Sequence, residues 1–422
     1  MKFLALLRDS LREATDSAVL YVTIVLTFIF LLLVASLSFR PVPMDEQVQK
    51  VPNQFNWIIG LTGRTDFSAE VVDFKQTKEP PPAPDHPWDG DYSFTLVFHL
   101  PSEKDAREFG SHRPGGKVDA NSMREAFEKQ FFWARDVNVT PGESKDPTEV
   151  RFDVETQGST IHNMRDWVQE PTFLFFWKMP FWDASLAGWV YWIEDRLLNG
   201  PGSWICILTA VILTSFFVPN MLRNGTVDLL IVKPMSRPVL LLYKFVGGLT
   251  FVFLNTTVAV GGLWLVLGLR TGIWAPGVLI DIFGITFYFA LLYAVSVLFG
   301  VLTRSPIVAL SVTILTWNLL WGVGLAYQSL TEYRNSPLKG ENVPQSIYVT
   351  VDALHFLLPR TKDLDLTMTK VISRNLLSEG EIKNRALDKL PDILWYESLG
   401  VSAAFLAATL GLACWWFATK DY

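Results

Sequence analysis

The sequence predicts an α-helical polytopic membrane protein with about six transmembrane helices and an extracytoplasmic α+β domain between the first and second spans. Three observations carry that prediction. Half of the 422 residues are hydrophobic and the mean hydropathy is +0.26, too apolar for one soluble domain with a charged surface. A bilayer core about 30 Å thick needs roughly 20 apolar residues in a helix, and six stretches meet or approach that length. Between the first two of them the composition turns polar, with alternating apolar residues of the kind strands show.

Residues 1–17 carry Phe3, Leu4, Leu7, Leu11 and Ala14 at helical spacing, with Arg8, Asp9, Arg12, Glu13 and Asp16 on the other positions. This reads as an interfacial amphipathic helix, the alternative being a plain extension of the first span. The first span covers residues 18–39. Its apolar core of about 22 residues exceeds the 7 to 15 of a cleaved leader, which favours a retained anchor.

Residues 40–201 form the extracytoplasmic domain. Pro80-Pro81-Pro82-Ala83-Pro84 is a semi-rigid linker. Alternation from Tyr92 to Phe98 predicts a strand, helices follow at Ser102–Phe109 and Asn121–Phe132, and Glu149–Val154 alternates charged with apolar residues as a second strand. From Phe173 to Trp192 aromatic residues crowd together: Phe175, Phe176, Trp177, Phe181, Trp182, Trp189, Tyr191 and Trp192. Amphipathic rings favour the headgroup layer, so this membrane-proximal segment is expected on the outer surface, with a core element of the soluble domain as the alternative.

Residues 202–327 read as a four-span core: Gly202–Pro219, which is short, then Val239–Leu269, Gly277–Leu302 and Pro306–Tyr327. A loop at 220–238 joins the first two. Residues 328–392 read as a second extracytoplasmic loop, and 393–422 as the last span, Ile393–Ala418, with a cytoplasmic end. Orientation follows from Lys and Arg in short loops, which stay inside. Lys2, Arg8 and Arg12, then Arg223, Lys233, Arg237 and Lys244, then Arg304 all fall on one side if there are six spans, which puts both termini in the cytoplasm. The basic residues of 328–392 fall outside, but that loop is longer than the roughly 60 residues over which the rule holds.

A formal net charge of −6 without a basic face excludes nucleic acid as a partner. Cys206 and Cys414 both lie in apolar runs, and His86, His99, His112, His162 and His355 show no metal-binding spacing. No metal site and no nucleophile, base and orienter arrangement are expected.

The loop carries the functional signal. Gly225 permits a sharp exit from the preceding span, Thr226 caps a helix, and Asp228 suits the positive end of its dipole. Lys233 precedes Pro234, which stops the helix after about two turns, and Arg237-Pro238 opens the next span. Val227, Leu230 and Ile231 then share one face, too apolar for a short loop left in water. It needs a partner or the membrane surface. A basic loop that only obeys the charge rule is the plainer alternative, but it does not require the apolar face.

Gly225-Thr226-Val227-Asp228-Leu229-Leu230-Ile231-Val232-Lys233-Pro234-Met235-Ser236-Arg237, followed by Leu241 to Gly248, resembles the loop of ABC-2 type permeases, the membrane subunits of ATP-binding-cassette exporters. The resemblance spans Gly202 to Ala326. It implies that the loop is a coupling helix docking into a groove on a cytoplasmic ABC ATPase subunit, that a second permease subunit, identical or related, completes the unit, and that ATP binds the partner. It also implies a bacterial cell (inner) membrane. Where many members have an acidic residue shortly before the glycine, Arg223 and Asn224 stand here, and the domain after the first span is large. The absence of a phosphate-cradling G-x-x-x-x-G-K-[ST] agrees with ATP on another chain, so no enzyme activity and no cofactor are expected on this one. Gly110 to Val118 is the nearest approach, with wrong spacing and no hydroxyl.

Ionisable residues within spans are costly and few. Arg270 and Asp281 lie near the outer ends of the third and fourth spans and are expected to pair or snorkel, as a structural anchor or a substrate site. Asn255, Thr256, Thr257 and Asn318 are expected to bond between helices. Ala403, Ala407 and Gly411 form a small-residue stripe suited to close helix packing. Uncharged span centres favour a hydrophobic or amphipathic cargo. Mechanotransmission without transport, and a membrane scaffold or sensor, are the rival functions.

Overall fold

The structure, a computed structural model, describes residues 18–60, 68–76, 91–107, 109, 119–130, 136–144, 146–157, 164–178, 184–221, 236–335, 344–391 and 393–420. The expected interfacial helix of residues 1–17 and the proline linker lie outside them. In chain order the elements are α1 Ala18–Ala35, β1 Ser38–Pro41, α2 Met44–Gly60, β2 Ser68–Gln76, β3 Asp91–His99, α3 Glu103–Arg107, α4 Ala120–Gln130, β4 Asn138–Pro141 and β5 Glu149–Gln157. Then follow β6 Val168–Phe173, β7 Trp177–Lys178, β8 Ala184–Ser185, α5 Leu186–Leu198, α6 Pro201–Thr214, α7 Phe217–Met221, α8 Arg237–Thr271 and α9 Asp281–Thr303. The chain ends with α10 Pro306–Asn335, α11 Gln345–Leu357, α12 Thr361–Leu376, α13 Glu379–Asn384 and α14 Trp395–Thr419. They divide into two compact units, one of residues 1–35, 191–375 and 389–422, the other of 36–190 and 376–388.

The second unit is α+β. β2, β3, β5 and β4 form an antiparallel sheet in that order, with Phe94 opposite Val154 and Phe98 opposite Val150. Tyr92, Phe94, Leu96 and Phe98 alternate onto one face of β3 as period two requires. They meet Met123 and Phe127, one helical turn apart on α4, in a single core. Phe98 sits 5.1 Å from Phe109 and edge-on to Phe152 at 6.2 Å. β2 slips register between Val72 and Lys75, where Asp73 takes a φ of 54°. A second sheet runs β1-β6-β7 with β8 also on β6. Trp167, fully buried, seals it by donating its indole N–H to the Val42 carbonyl at 2.8 Å.

Three expectations are corrected here. The first span was expected to reach Phe39, but its helix stops at Ala35, because Ser38–Pro41 is drawn into β-pairing with β6. Residues 328–392 are not one loop: α10 runs on to Asn335, and α11, α12 and α13 follow. Their stretch 376–388 belongs to the α+β unit. There Arg165 bonds the Leu376 carbonyl, Ser185 donates to the Glu381 carboxylate, and Ser378 and Glu381 cap α13 reciprocally. The aromatic segment splits between its two readings. Leu174 to Trp177 are exposed, whereas Trp189 and Tyr191 on α5 are buried, with the Trp189 indole donating to the Gln169 carbonyl at 3.0 Å.

The helical unit contains helices long and apolar enough to cross a membrane at Leu186–Pro219, Arg237–Thr271, Pro276–Thr303, Pro306–Arg334 and Trp395–Thr419, besides the shorter apolar stretch Tyr21–Ala35 of α1. The apolar run at Leu186–Pro219 is broken at Asn199-Gly200 and again at Ser215-Phe216. α8, at 1.5 Å per residue, is roughly 52 Å long and exceeds a bilayer core. α9 is the centre: every residue from Tyr288 to Val297 is buried, the signature of a helix apolar all round and surrounded by others. The outer helices leave Val25, Phe28, Leu254, Val258, Leu315 and Leu412 exposed, surface suited to lipid.

Helix contacts are close where side chains are small. Thr27 of α1 donates to Asn255 of α8 at 3.3 Å, and a Cβ at Gly262 would lie 2.6 Å from Leu31. Asn318 and Thr257 differ from expectation, since each bonds the carbonyl four residues back on its own helix, at Ile314 and Phe253. At the α8–α9 crossing Tyr293 stacks between Phe245 and Phe289, each at 5.2 Å, and a Cβ at Gly248 would come within 2.8 Å of its ring. The ring has no room to yield. Gly248→Val is expected to destabilise the bundle by about 1–3 kcal/mol through overpacking, read as a lowered thermal midpoint of the full chain in detergent.

Candidate functional site

Of the residues read as the coupling loop, Gly225, Thr226, Val227, Asp228, Leu230, Ile231, Lys233 and Pro234 lie outside the described residues. The structure describes both roots of the loop, Met221 and Ser236. α6 and α7 are separated by a break at Ser215-Phe216, where the Thr214 and Ser215 hydroxyls bond back to Ala210 and Ile212 and compete with the helical ladder. Val218 and Pro219 of α7 then pack against Gly300 of α9. The returning chain caps α8 at Ser236, with Pro238 in the first turn.

Arg237 is described, and its guanidinium donates to the Lys420 carbonyl at 2.8 Å, while the Cys414 thiol lies 3.9 Å from the Pro238 carbonyl. Lys420 in turn stands over the Trp416 ring at 5.1 Å. α9 ends nearby with Arg304 in the left-handed region, its N–H closing on the Gly300 carbonyl. One end of the bundle therefore gathers the loop roots, Arg237, Arg304 and Lys420, residues from three separate parts of the sequence. α7 and α8, which flank the loop, both pack on the central α9.

At another place in the unit the structure gathers acids that the sequence reading treated separately or missed. Asp281 is fully buried with neither carboxylate oxygen hydrogen-bonded, and Glu194 is 1% exposed with Oε2 likewise unpartnered. Arg270 is exposed and Asp281 makes no hydrogen bond to it, which leaves snorkelling, the other expectation for Arg270. Asp195 accepts from the Thr369 hydroxyl at 2.9 Å, and Asp365 lies 3.6 Å from Lys362. Beside them a cavity of about 20 Å³, room for about one water, is lined by Asn199, Ser203, Tyr288 and Asp365 among apolar residues. Glu194 and Asp195 give no signal in the sequence because they precede Gly202, where the apolar run of the second span begins. Among the described residues no group of acids, histidines and cysteines is arranged to hold a metal ion.

Burial pushes the Asp365 carboxyl up to about 7, against the Lys362 ammonium, which lowers it, and with the Asp195 charge, which raises it. The folded protein thus keeps a proton that an unfolded Asp releases near 4. Stability from this group is full below about 4, falls as pH rises towards 7, and is level above. Asp365→Asn is expected to raise the thermal midpoint by several degrees at pH 8 and to change it little at pH 4, as unfolding in detergent at the two values checks.

Ala403, Ala407 and Gly411 face outwards, and a Cβ at Gly411 would meet nothing within 4 Å. The face of α14 that packs within the chain is Ser398, Ser402, Thr409, Ala413 and Phe417. Ser398 donates to Asp363 at 2.8 Å, and Asp363 lies 3.5 Å from His355, whose ring stacks on Tyr327.

No curated protein matches the chain. Its bundle of long apolar helices accords with the family whose model matches residues 7–422, described as ABC-2 family transporter protein, and the chain belongs to that family.

Proposed function

We propose that this multi-pass membrane protein, the membrane subunit of an ABC transporter, exports a hydrophobic or amphipathic substrate and is driven through loop 220–238 by a cytoplasmic ABC ATPase. The observation that carries the reading is the basic character of the end of the bundle that bears the loop roots, where Arg237 donates to the Lys420 carbonyl and α9 closes at Arg304. Clustered cations favour the cytoplasmic side, which supports a reading with both termini there, in a cell inner membrane of bacterial type. The apolar face of Val227, Leu230 and Ile231 is then available to a groove on the ATPase, and the pull of nucleotide binding passes through α7 and α8 to α9. A second permease subunit, identical or related, completes the assembly. The stripe of Ala403, Ala407 and Gly411, exposed among the described residues, suits such a neighbour.

Reconstitution tests this directly. The chain and its ATPase in proteoliposomes are expected to move a fluorescent lipid or a labelled amphipathic drug in an ATP-dependent way. The α+β unit, with a core of its own, favours a second reading, mechanotransmission, in which ATP-driven motion acts on that unit and nothing crosses. ATP hydrolysis with every labelled solute left in place would select it.

A further inference from the structure

β6 ends in a reverse turn whose central residues, Leu174 and Phe175, both adopt positive φ, 51° and 65°, and the Phe176 N–H closes on the Phe173 carbonyl at 3.3 Å. Tight hairpin turns need this backbone, which Asn and Gly supply cheaply and bulky residues do not. Strain of this kind persists where the surroundings hold it and clusters at functional sites. What the turn presents is a row of large apolar side chains, Leu174, Phe175, Phe176 and Trp177, exposed at 38%, 68%, 77% and 64%. Lys178 follows, paired with Glu170 at 3.3 Å.

Chain connectivity says where this tip lies. β1 runs antiparallel to β6 with Ser38 opposite Thr172, and the Leu174 N–H donates to the Ser36 hydroxyl at 3.3 Å. Ser36 is the residue after Ala35, the last of α1. One residue of chain advances at most about 3.6 Å, so the turn begins at the level where α1 ends. Since α1 exposes Val25, Phe28, Ile29 and Leu32 along its length, that level is the boundary of the bilayer on the reading of α1 as a span.

We propose that the hairpin tip 174–177 is a membrane finger: Phe175, Phe176 and Trp177 enter the headgroup layer of the leaflet that α1 leaves and tie the α+β unit to the lipid surface. Consecutive aromatics ending in Trp, followed by a lysine at headgroup height, match the chemistry of that layer. The continuity of the tip with the end of α1 selects lipid over a soluble partner. The proposal rests on α1 being a span, and the test separates the two.

Spin labels are placed at Phe176→Cys, Phe28→Cys and Lys75→Cys, one at a time, in the full chain carrying Cys206→Ser and Cys414→Ser. The chain is reconstituted in vesicles of phosphatidylethanolamine and phosphatidylglycerol. The expected ratio of oxygen to nickel-chelate accessibility at Phe176→Cys is several-fold above that at Lys75→Cys, the aqueous reference in the same unit, and approaches that at Phe28→Cys. Lipid access at Phe28→Cys with water access at Phe176→Cys overturns the finger and leaves the span. Water access at Phe28→Cys removes the span and the finger with it. A label at Phe176→Cys shielded from both reagents means protein covers the tip, and also overturns the proposal.

Discussion

Leu230→Asp is expected to abolish ATP-dependent transport, by about 100-fold or more, while the chain reaches the membrane in normal amount. The argument is one of burial. On the proposed docking of the loop, an apolar residue in the ATPase groove is exchanged for a carboxylate without a partner, and an unpaired charge at a buried contact costs about 3–5 kcal/mol; each 1.4 kcal/mol is tenfold in affinity. Loss of ATPase co-purification should accompany loss of transport, because the defect lies in gripping and not in the spans. Transport by Leu230→Asp at the normal rate would mean that the apolar face covers nothing.

Trp167→Ala is expected to cost the α+β unit about 3–5 kcal/mol, the usual loss for a large aromatic removed from a close-packed core. Trp167 is fully buried, packs in one core with residues of both sheets, and bonds Val42, which precedes α2. Truncation therefore leaves a cavity and an unpaired carbonyl together. Calorimetry of the full chain in detergent checks it: the transition of this unit should fall by roughly 10 °C or more while that of the helical bundle stays in place. A single transition moving as one would show that the two units unfold together.

The parts of this fold that could be read from sequence are those with a strong local period. Tyr92 to Phe98 and Glu149 to Val154 alternate so regularly that both strands lie where expected, within β3 and β5. The long apolar helices α8, α9, α10 and α14 were likewise visible, because residues such as Leu263 or Phe289 recur over more than twenty apolar positions. What escaped was decided by partners far away in the chain. Ser38 and Phe39 read as the end of a span, since nothing local reveals that Thr172 and Pro171 will pair with them. Glu381 reads as one more charge in a polar loop until Ser185, almost two hundred residues earlier, is placed against it.

The candidate site divides in the same way. The expectation for Gly225 to Pro234 rests on local rules alone, a turn, a cap and a stop, and those residues lie outside the described ones. The contact of Arg237 with Lys420 and the burial of Glu194 beside Asp281 depend on helix packing, which composition does not encode. Asp281 is legible as a charge near a span end, with pairing to Arg270 and snorkelling both open from sequence alone. Arg270 lies within reach along the sequence, yet it is exposed while Asp281 faces the interior.

Chemical labelling of the loop tests the central claim most directly. In a chain with Cys206→Ser and Cys414→Ser, a cysteine is introduced by Asp228→Cys or by Ser236→Cys, and intact cells and inverted vesicles are treated with a membrane-impermeant maleimide. Labelling in inverted vesicles alone, diminished when the ATPase subunit is bound, is the result this account predicts. Labelling of either position from outside intact cells would place the loop on the wrong side of the membrane and contradict it.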